Sequence, residues 1–191
     1  MKKIKKFKIN LRSREITRLL KKTTKISEIN SDIEEKVEAE SRRLQRFIAP
    51  AAVYETIPKD KFPGELRLSE PQNWVAATAY VVTVGDAIEK ELKENRAKDS
   101  GESEAIAHTI ALEGVEQSVN FIERLIREEA FKENCEISKE HPLDSKENLT
   151  KLFGIIPAEK IGASLLENGN LSPQYSSGGI IYWTPIAKHK K

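Results

Sequence analysis

The sequence predicts an α+β fold in which one mixed sheet packs against helices, one of them long. Three observations carry this. The run Trp74–Val84 ends in Ala79-Tyr80-Val81-Val82-Thr83-Val84, which is β-branched, aromatic and uncharged, as a central strand buried on both faces requires. A helical pattern fills about residues 103–134, with Ile106, Ile110, Val115, Val119, Ile122, Leu125 and Ile126 on one side. Strand-like segments near both chain ends enclose the helical ones, so a single sheet with helices on it is the economical arrangement. The 191 residues predict one domain, 1–191, with a disordered basic tail at 187–191.

Taken in order, Phe7, Ile9 and Leu11 alternate with Lys8 and Asn10, the period of a half-buried strand. Ser13 opens a short helix carrying Ile16, Leu19 and Leu20, interrupted at Thr23-Thr24. Ser31 and Glu34 have capping-box spacing, and Ile33, Val37, Leu44, Phe47 and Ile48 follow as a helical stripe that Pro50 ends. Ala51–Ile57 reads as a strand, Glu65–Leu68 as a short one, and Gly85 closes the central run before a helix at Asp86. A loop is expected around Lys98–Gly101 and a strand at Cys135–Ser138. Asp144 or Ser145 caps a helix ending near Gly154. Asn168-Gly169 predicts a hairpin turn, and Ser177-Gly178-Gly179 leads into a last strand, Ile180–Trp183. Gly114 in mid-helix costs about 1 kcal/mol relative to Ala, so close packing or a ligand should require it.

Composition narrows the function. Lys+Arg number 32 and Asp+Glu 30, a formal charge of +2, without the basic excess of a nucleic-acid binder. The single Cys135 allows neither an internal disulfide nor a multi-cysteine metal site. No stretch approaches the roughly 20 apolar residues that cross a bilayer, and no apolar run follows the basic Met1–Lys6, so a cytoplasmic protein is expected.

No catalytic or metal constellation stands out. The three histidines, His108, His141 and His189, are far apart and form no metal-ligand spacing. His108 reads as a surface residue on the long helix, and Cys135 as a buried structural thiol. Glu113 and Glu116 share a helix face, which on so charged a helix reads as solvated. Thr83-Val84-Gly85-Asp86 resembles a strand–helix anion site but has one glycine only, and Asp86 would cap the same N–H groups. The second notable segment is Ser176-Ser177-Gly178-Gly179, flanked by Pro173, Tyr175, Tyr182 and Trp183. Small residues there allow a ligand or another backbone to approach, or form a bulge at a sheet edge.

Several segments in this order resemble a known family: Arg46–Tyr54; Thr83-Val84-Gly85-Asp86-Ala87-Ile88-Glu89; the long helix; Leu149–Phe153; Ile161-Gly162-Ala163-Ser164-Leu165-Leu166-Glu167-Asn168-Gly169; and Ser172–Ile180. Together they are similar to the activation (reactivation) domain of cobalamin-dependent methionine synthase and its small free-standing relatives. Order and spacing carry the resemblance, over about residues 10–183. It implies a curved, mainly antiparallel sheet with flanking helices. It also implies an accessory role in reductive reactivation and remethylation of a corrinoid methyltransferase, in methionine biosynthesis. S-adenosylmethionine is the implied ligand, with Pro173, Tyr175, Ser176, Ser177, Gly178, Glu113 and His141 as contacts. Cobalamin would come only through a partner protein, and a separate protein would supply the electron. No catalytic residue is implied.

The chain also departs from the family pattern. Where the family has R-x-x-x-GY or SPGYGD, this sequence has Ser138-Lys139-Glu140-His141-Pro142-Leu143, shorter and without glycine or tyrosine. Glu116-Gln117 stand where the family has Gly-Ser, Gly178 replaces a serine, and Ile181 stands at an aromatic position, with Tyr182 one residue off. A second reading is therefore a binding or assembly module of the same fold that has lost S-adenosylmethionine. A third is an enzyme using His141 or Cys135.

Overall fold

The structure is a computed structural model describing residues 1–23, 30–95 and 101–187. Thr24, residues 98–100 of the expected loop, and residues 188–191 of the expected tail, His189 included, lie outside the described residues.

The strands are β1 (Lys2–Lys5), β2 (Ala51–Pro58), β3 (Ala76–Thr83), β4 (Cys135–Ile137), β5 (His141–Pro142), β6 (Ser164–Leu165), β7 (Leu171–Ser172) and β8 (Ser176–Pro185). The helices are α1 (Ser13–Thr23), α2 (Ser31–Leu44), α3 (Ala87–Asn95), α4 (Gly101–Lys132) and α5 (Lys146–Ile155). A curled six-stranded sheet runs β1-β2-β3-β8-β4, with β5 also on β8, and β6–β7 form a separate hairpin. Every pairing among the described residues is antiparallel.

Alternation along the central strands sends side chains to two faces. Val53, Ala79, Val81, Ile180 and Tyr182 meet Leu149, Leu152 and Ile156 of the α5 side. Ala52, Tyr54, Tyr80, Val82, Ile181 and Trp183 meet Val119, Ile122 and Ile126 of α4. The first turns of α4 pass beyond the sheet and pack with α1, α2 and α3 around Ile16, Val37, Leu44, Ile88 and Ile110. β3 is the expected central strand, and Trp74 and Tyr80 are both core residues, 2% and 0% exposed.

Several local expectations change. Residues 7–11 keep their alternation but pair with no strand among the described residues. Lys6 has φ 57°, which turns the chain out of β1, and Phe7 then stacks on Phe121 of α4 at 4.2 Å. The segment is an extended strap across α4. The α2 cap is Asn30 rather than Ser31: the Asn30 side chain accepts from the Ile33 N–H at 3.0 Å. Gly64–Leu66 is a 3₁₀ turn closed by its own backbone bonds, in place of a strand at 65–68. Ser145 caps α5, and the hairpin forms with Gly169 at φ 87°. Gly114 is a close-packing glycine: an added Cβ would lie 3.3 Å from Val84 and 3.4 Å from Ile48.

The largest change is at Ser176–Gly179, expected either to lie open to a ligand or another backbone or to bulge at a sheet edge. These residues lie inside β8, with Ser176 opposite Thr83 and Gly179 opposite Tyr80. The glycines serve packing on both faces. A Cβ at Gly178 would lie 2.5 Å from Leu152, and one at Gly179 would lie 2.5 Å from the Tyr80 hydroxyl and 2.9 Å from the His141 carbonyl oxygen. Gly179→Ala is expected to destabilise the fold by about 2–3 kcal/mol through overpacking. Gly154→Ala, whose Cβ meets nothing within 4 Å, should be neutral or stabilising. Urea unfolding of the two variants tests the contrast.

Candidate functional site

The segment 138–143 comes to lie along β8. The Ser138 N–H donates to the Tyr182 carbonyl at 2.8 Å, the Leu143 N–H to the Gly178 carbonyl at 2.9 Å, and the Tyr182 N–H to the Ser138 hydroxyl at 3.0 Å. His141 and Gly178, far apart in sequence, are thus neighbours in one sheet. The His141 ring sits edge-on against Tyr182 at 5.3 Å. Tyr80 donates its hydroxyl proton to Glu140 at 2.7 Å. Burial holds the Glu140 carboxyl above the usual carboxylate range; the charges of Glu116 and Glu123 add to this, and the Tyr80 hydroxyl and His141 oppose it.

A cleft of about 460 Å³ opens beside the other end of β8, between α3, the first turns of α4 and residues 174–175. Glu89, Leu92, Ala105, His108 and Tyr175 line it. Tyr175 is 3% exposed, and its hydroxyl lies 2.8 Å from Nδ1 of the exposed His108. Glu89 accepts the Gln174 N–H at 2.9 Å, which ties the 172–175 turn to α3. Pro173 is buried at this turn, where its carbonyl accepts the Ser176 hydroxyl at 2.7 Å. Ser176 and Ser177 are half-buried where β8 begins. Tyr175, Pro173, Ser176 and Ser177 therefore lie together at or next to the cleft, and Gly178 and His141 lie further along the same strand.

Glu113 is elsewhere and is not solvated. It is fully buried under the strap, where it accepts Arg12 Nε at 2.8 Å, Arg12 Nη2 at 3.4 Å and Gln117 Nε2 at 3.0 Å. A lone buried carboxylate would be costly, and the Arg12 fork meets that cost. Its helix neighbour Glu116 is exposed.

Cys135 and the Thr83–Asp86 junction lie in structural contacts. Burial pushes the Cys135 thiol up, the opposite of what an activated nucleophile needs. At the strand–helix junction the Gly85 N–H donates to Thr83 Oγ1, and Asp86 pairs with Lys90 instead of capping α3. No cluster of three or more potential metal ligands exists among the described residues, and none of their helices is long and apolar enough to cross a membrane. The sequence reading places His108 on the surface, where it is found, but misses its contact with Tyr175, the Glu89–Gln174 tie and the Tyr80–Glu140 pair. His108 and Tyr175 are 67 positions apart, and no local pattern links them.

No family model and no curated protein matches the sequence. The fold has a solved counterpart. The crystal structure of the MetH reactivation domain bound to AdoHcy is similar over 99% of this chain and 80% of that chain, with TM-score 0.64 and 11% sequence identity. At that identity the likeness is one of architecture: the curled antiparallel sheet, the flanking helices and the long α4.

The Glu140 environment predicts a pH signature. A raised folded-state value means that the folded protein holds this proton more tightly than the unfolded chain does. The associated stability is full below the ordinary carboxylate range and is lost as pH rises through the shifted value. Glu140→Gln keeps a partner for Tyr80 and cannot ionise. Its stability relative to the parent should therefore improve as pH rises above the ordinary carboxylate range, read by denaturant unfolding across that rise.

Proposed function

We propose that this protein is a reactivation-type accessory of a cobalamin-dependent methyltransferase such as methionine synthase, acting in the cytoplasm as one domain over residues 1–191. In this reading it binds S-adenosylmethionine and rests against a partner that carries the corrinoid while the cobalt is reduced and remethylated. A separate protein supplies the electron. The observation that carries the reading is the extent of the fold likeness, 99% of this chain, to a reactivation domain bound to AdoHcy. The cleft beside Tyr175 supports it, because it gives the C-terminal stretch a concave surface on which apolar groups (Leu92, Ala105, Ala107) alternate with polar ones (Glu89, Lys93, Glu104, His108, Gln174). Pro173, Tyr175, Ser176 and Ser177 are the proposed contacts, with Gly178 and His141 along the adjoining strand. Glu113, held by Arg12, would act only through the strap.

The second reading, an assembly module that no longer binds S-adenosylmethionine, is favoured by one specific observation. Leu152 and Tyr80 already occupy the space over Gly178 and Gly179, so those glycines serve the protein's own packing.

Titration calorimetry with S-adenosylmethionine and AdoHcy separates the two. Saturable heat that falls at least tenfold in affinity with Tyr175→Phe or Ser176→Ala is the expected result. Flat heats with both compounds would leave the assembly reading. Co-purification with a corrinoid-loaded methyltransferase tests the partner independently of the ligand.

A further inference from the structure

We propose that the groove between the N-terminal strap and the outer crest of α4 binds a phosphate-type dianion, either free phosphate or the phosphate of a monoester. The groove has a volume of about 450 Å³. Lys8, Ile9, Asn10 and Arg12 line one wall, and Gln117, Asn120 and Arg124 line the other. No carboxylate lines it.

Two periodicities build these walls. Alternate residues of an extended chain project to the same side, so packing of Phe7, Ile9 and Leu11 inward leaves Lys8, Asn10 and Arg12 on the exposed edge, from which the Arg12 side chain bends back to Glu113. Residues 117, 120 and 124 recur at helical spacing and form the facing row. The register of the two rows is held by the Phe7–Phe121 stack at 4.2 Å and by the Arg12–Glu113 fork. The Arg124 guanidinium lies 5.8 Å from the Phe121 ring centroid, which orients it over the same aromatic pair.

The charge count decides the ligand class. Arg12 is balanced by Glu113, yet is 44% exposed and keeps donors toward solvent. Among the described residues, Lys8 and Arg124 have no carboxylate partner. Two uncompensated cations with a third, positioned guanidinium and side-chain amide donors match a dianion with several acceptor oxygens. Glu15 and Glu116 act on the Arg12 guanidinium from nearby, but neither lines the groove.

The test is an NMR titration of the ¹⁵N-labelled full chain with sodium phosphate, with sodium chloride at matched ionic strength, with AMP as a phosphomonoester and with malonate as a dicarboxylate. The expected result is saturable shifts at the Asn10 and Asn120 amides and at Arg124 Nε–H that chloride does not produce. Affinity should fall at least tenfold in Lys8→Gln/Arg124→Gln, two exposed positions whose exchange leaves thermal unfolding unchanged. Tighter binding of AMP than of phosphate means that the group arrives on a larger molecule, and equal binding means free phosphate; both uphold the site. Shifts no larger than with chloride, affinity unchanged in the double variant, or malonate binding as tightly as phosphate would overturn it.

Discussion

The contact on which the rest of the structure depends is Tyr80 lying across Gly179, with Leu152 against Gly178 on the opposite face. β3 and β8 are adjacent inner strands at this point, and two successive glycines let Leu152 of α5 come down on one face of β8 while the Tyr80 side chain lies across the other without a Cβ between them. The Tyr80 hydroxyl reaches past β8 to Glu140, and the backbone of 138–143 runs beside β8 within hydrogen-bond distance. That path then delivers the chain to α5 on the other face, where Leu152 meets Gly178. Sheet centre, edge loop and second layer are thus set by one small region. The same region explains why small residues occur at 178–179: neighbouring side chains, rather than open space, occupy the missing volume.

Helix α4 links this centre to the periphery. Its inner stripe, Val119, Ile122 and Ile126, packs on the sheet, and its earlier turns pack on α1–α3. The N-terminal strap covers part of its outer crest, and Glu113, buried there, gives the strap a charged anchor in Arg12. A broken pair would leave a carboxylate out of water, so the strap is bound to the helix more specifically than its apolar residues alone would provide. The Tyr175 cleft and the basic groove both lie along α4, at its first turns and at its middle.

Much of this was legible locally. The uncharged β-branched run at 79–84 became the central strand, and the long apolar stripe became α4. Asn168-Gly169 turned as its backbone freedom dictates, with Gly169 at φ 87°. The α2 cap and the 65–68 turn were missed on local chemistry; the larger misreadings were questions of partner. Residues 7–11 have strand periodicity, yet that pattern states only that alternate side chains are buried, and a helix buries them as well as a sheet does. Ser176–Gly179 has the composition of a loop because composition cannot reveal that Leu152 and Tyr80 will fill the glycine positions. Glu113 reads as solvated because its neighbours on the helix are charged, while the segment that covers it lies 101 positions earlier.

The sequence by itself determined the fold class and the order of the main strands and helices, because those rest on periodicity, capping chemistry and residue type within a few positions. Only the tertiary structure decided which side chains share a site. It joined His108 to Tyr175, Glu140 to Tyr80 and Arg12 to Glu113, and it carried His141 away from the Tyr175 cleft to the middle of β8. Such pairings depend on where distant backbone segments cross, and burial and charge then act on whatever the crossing brings together.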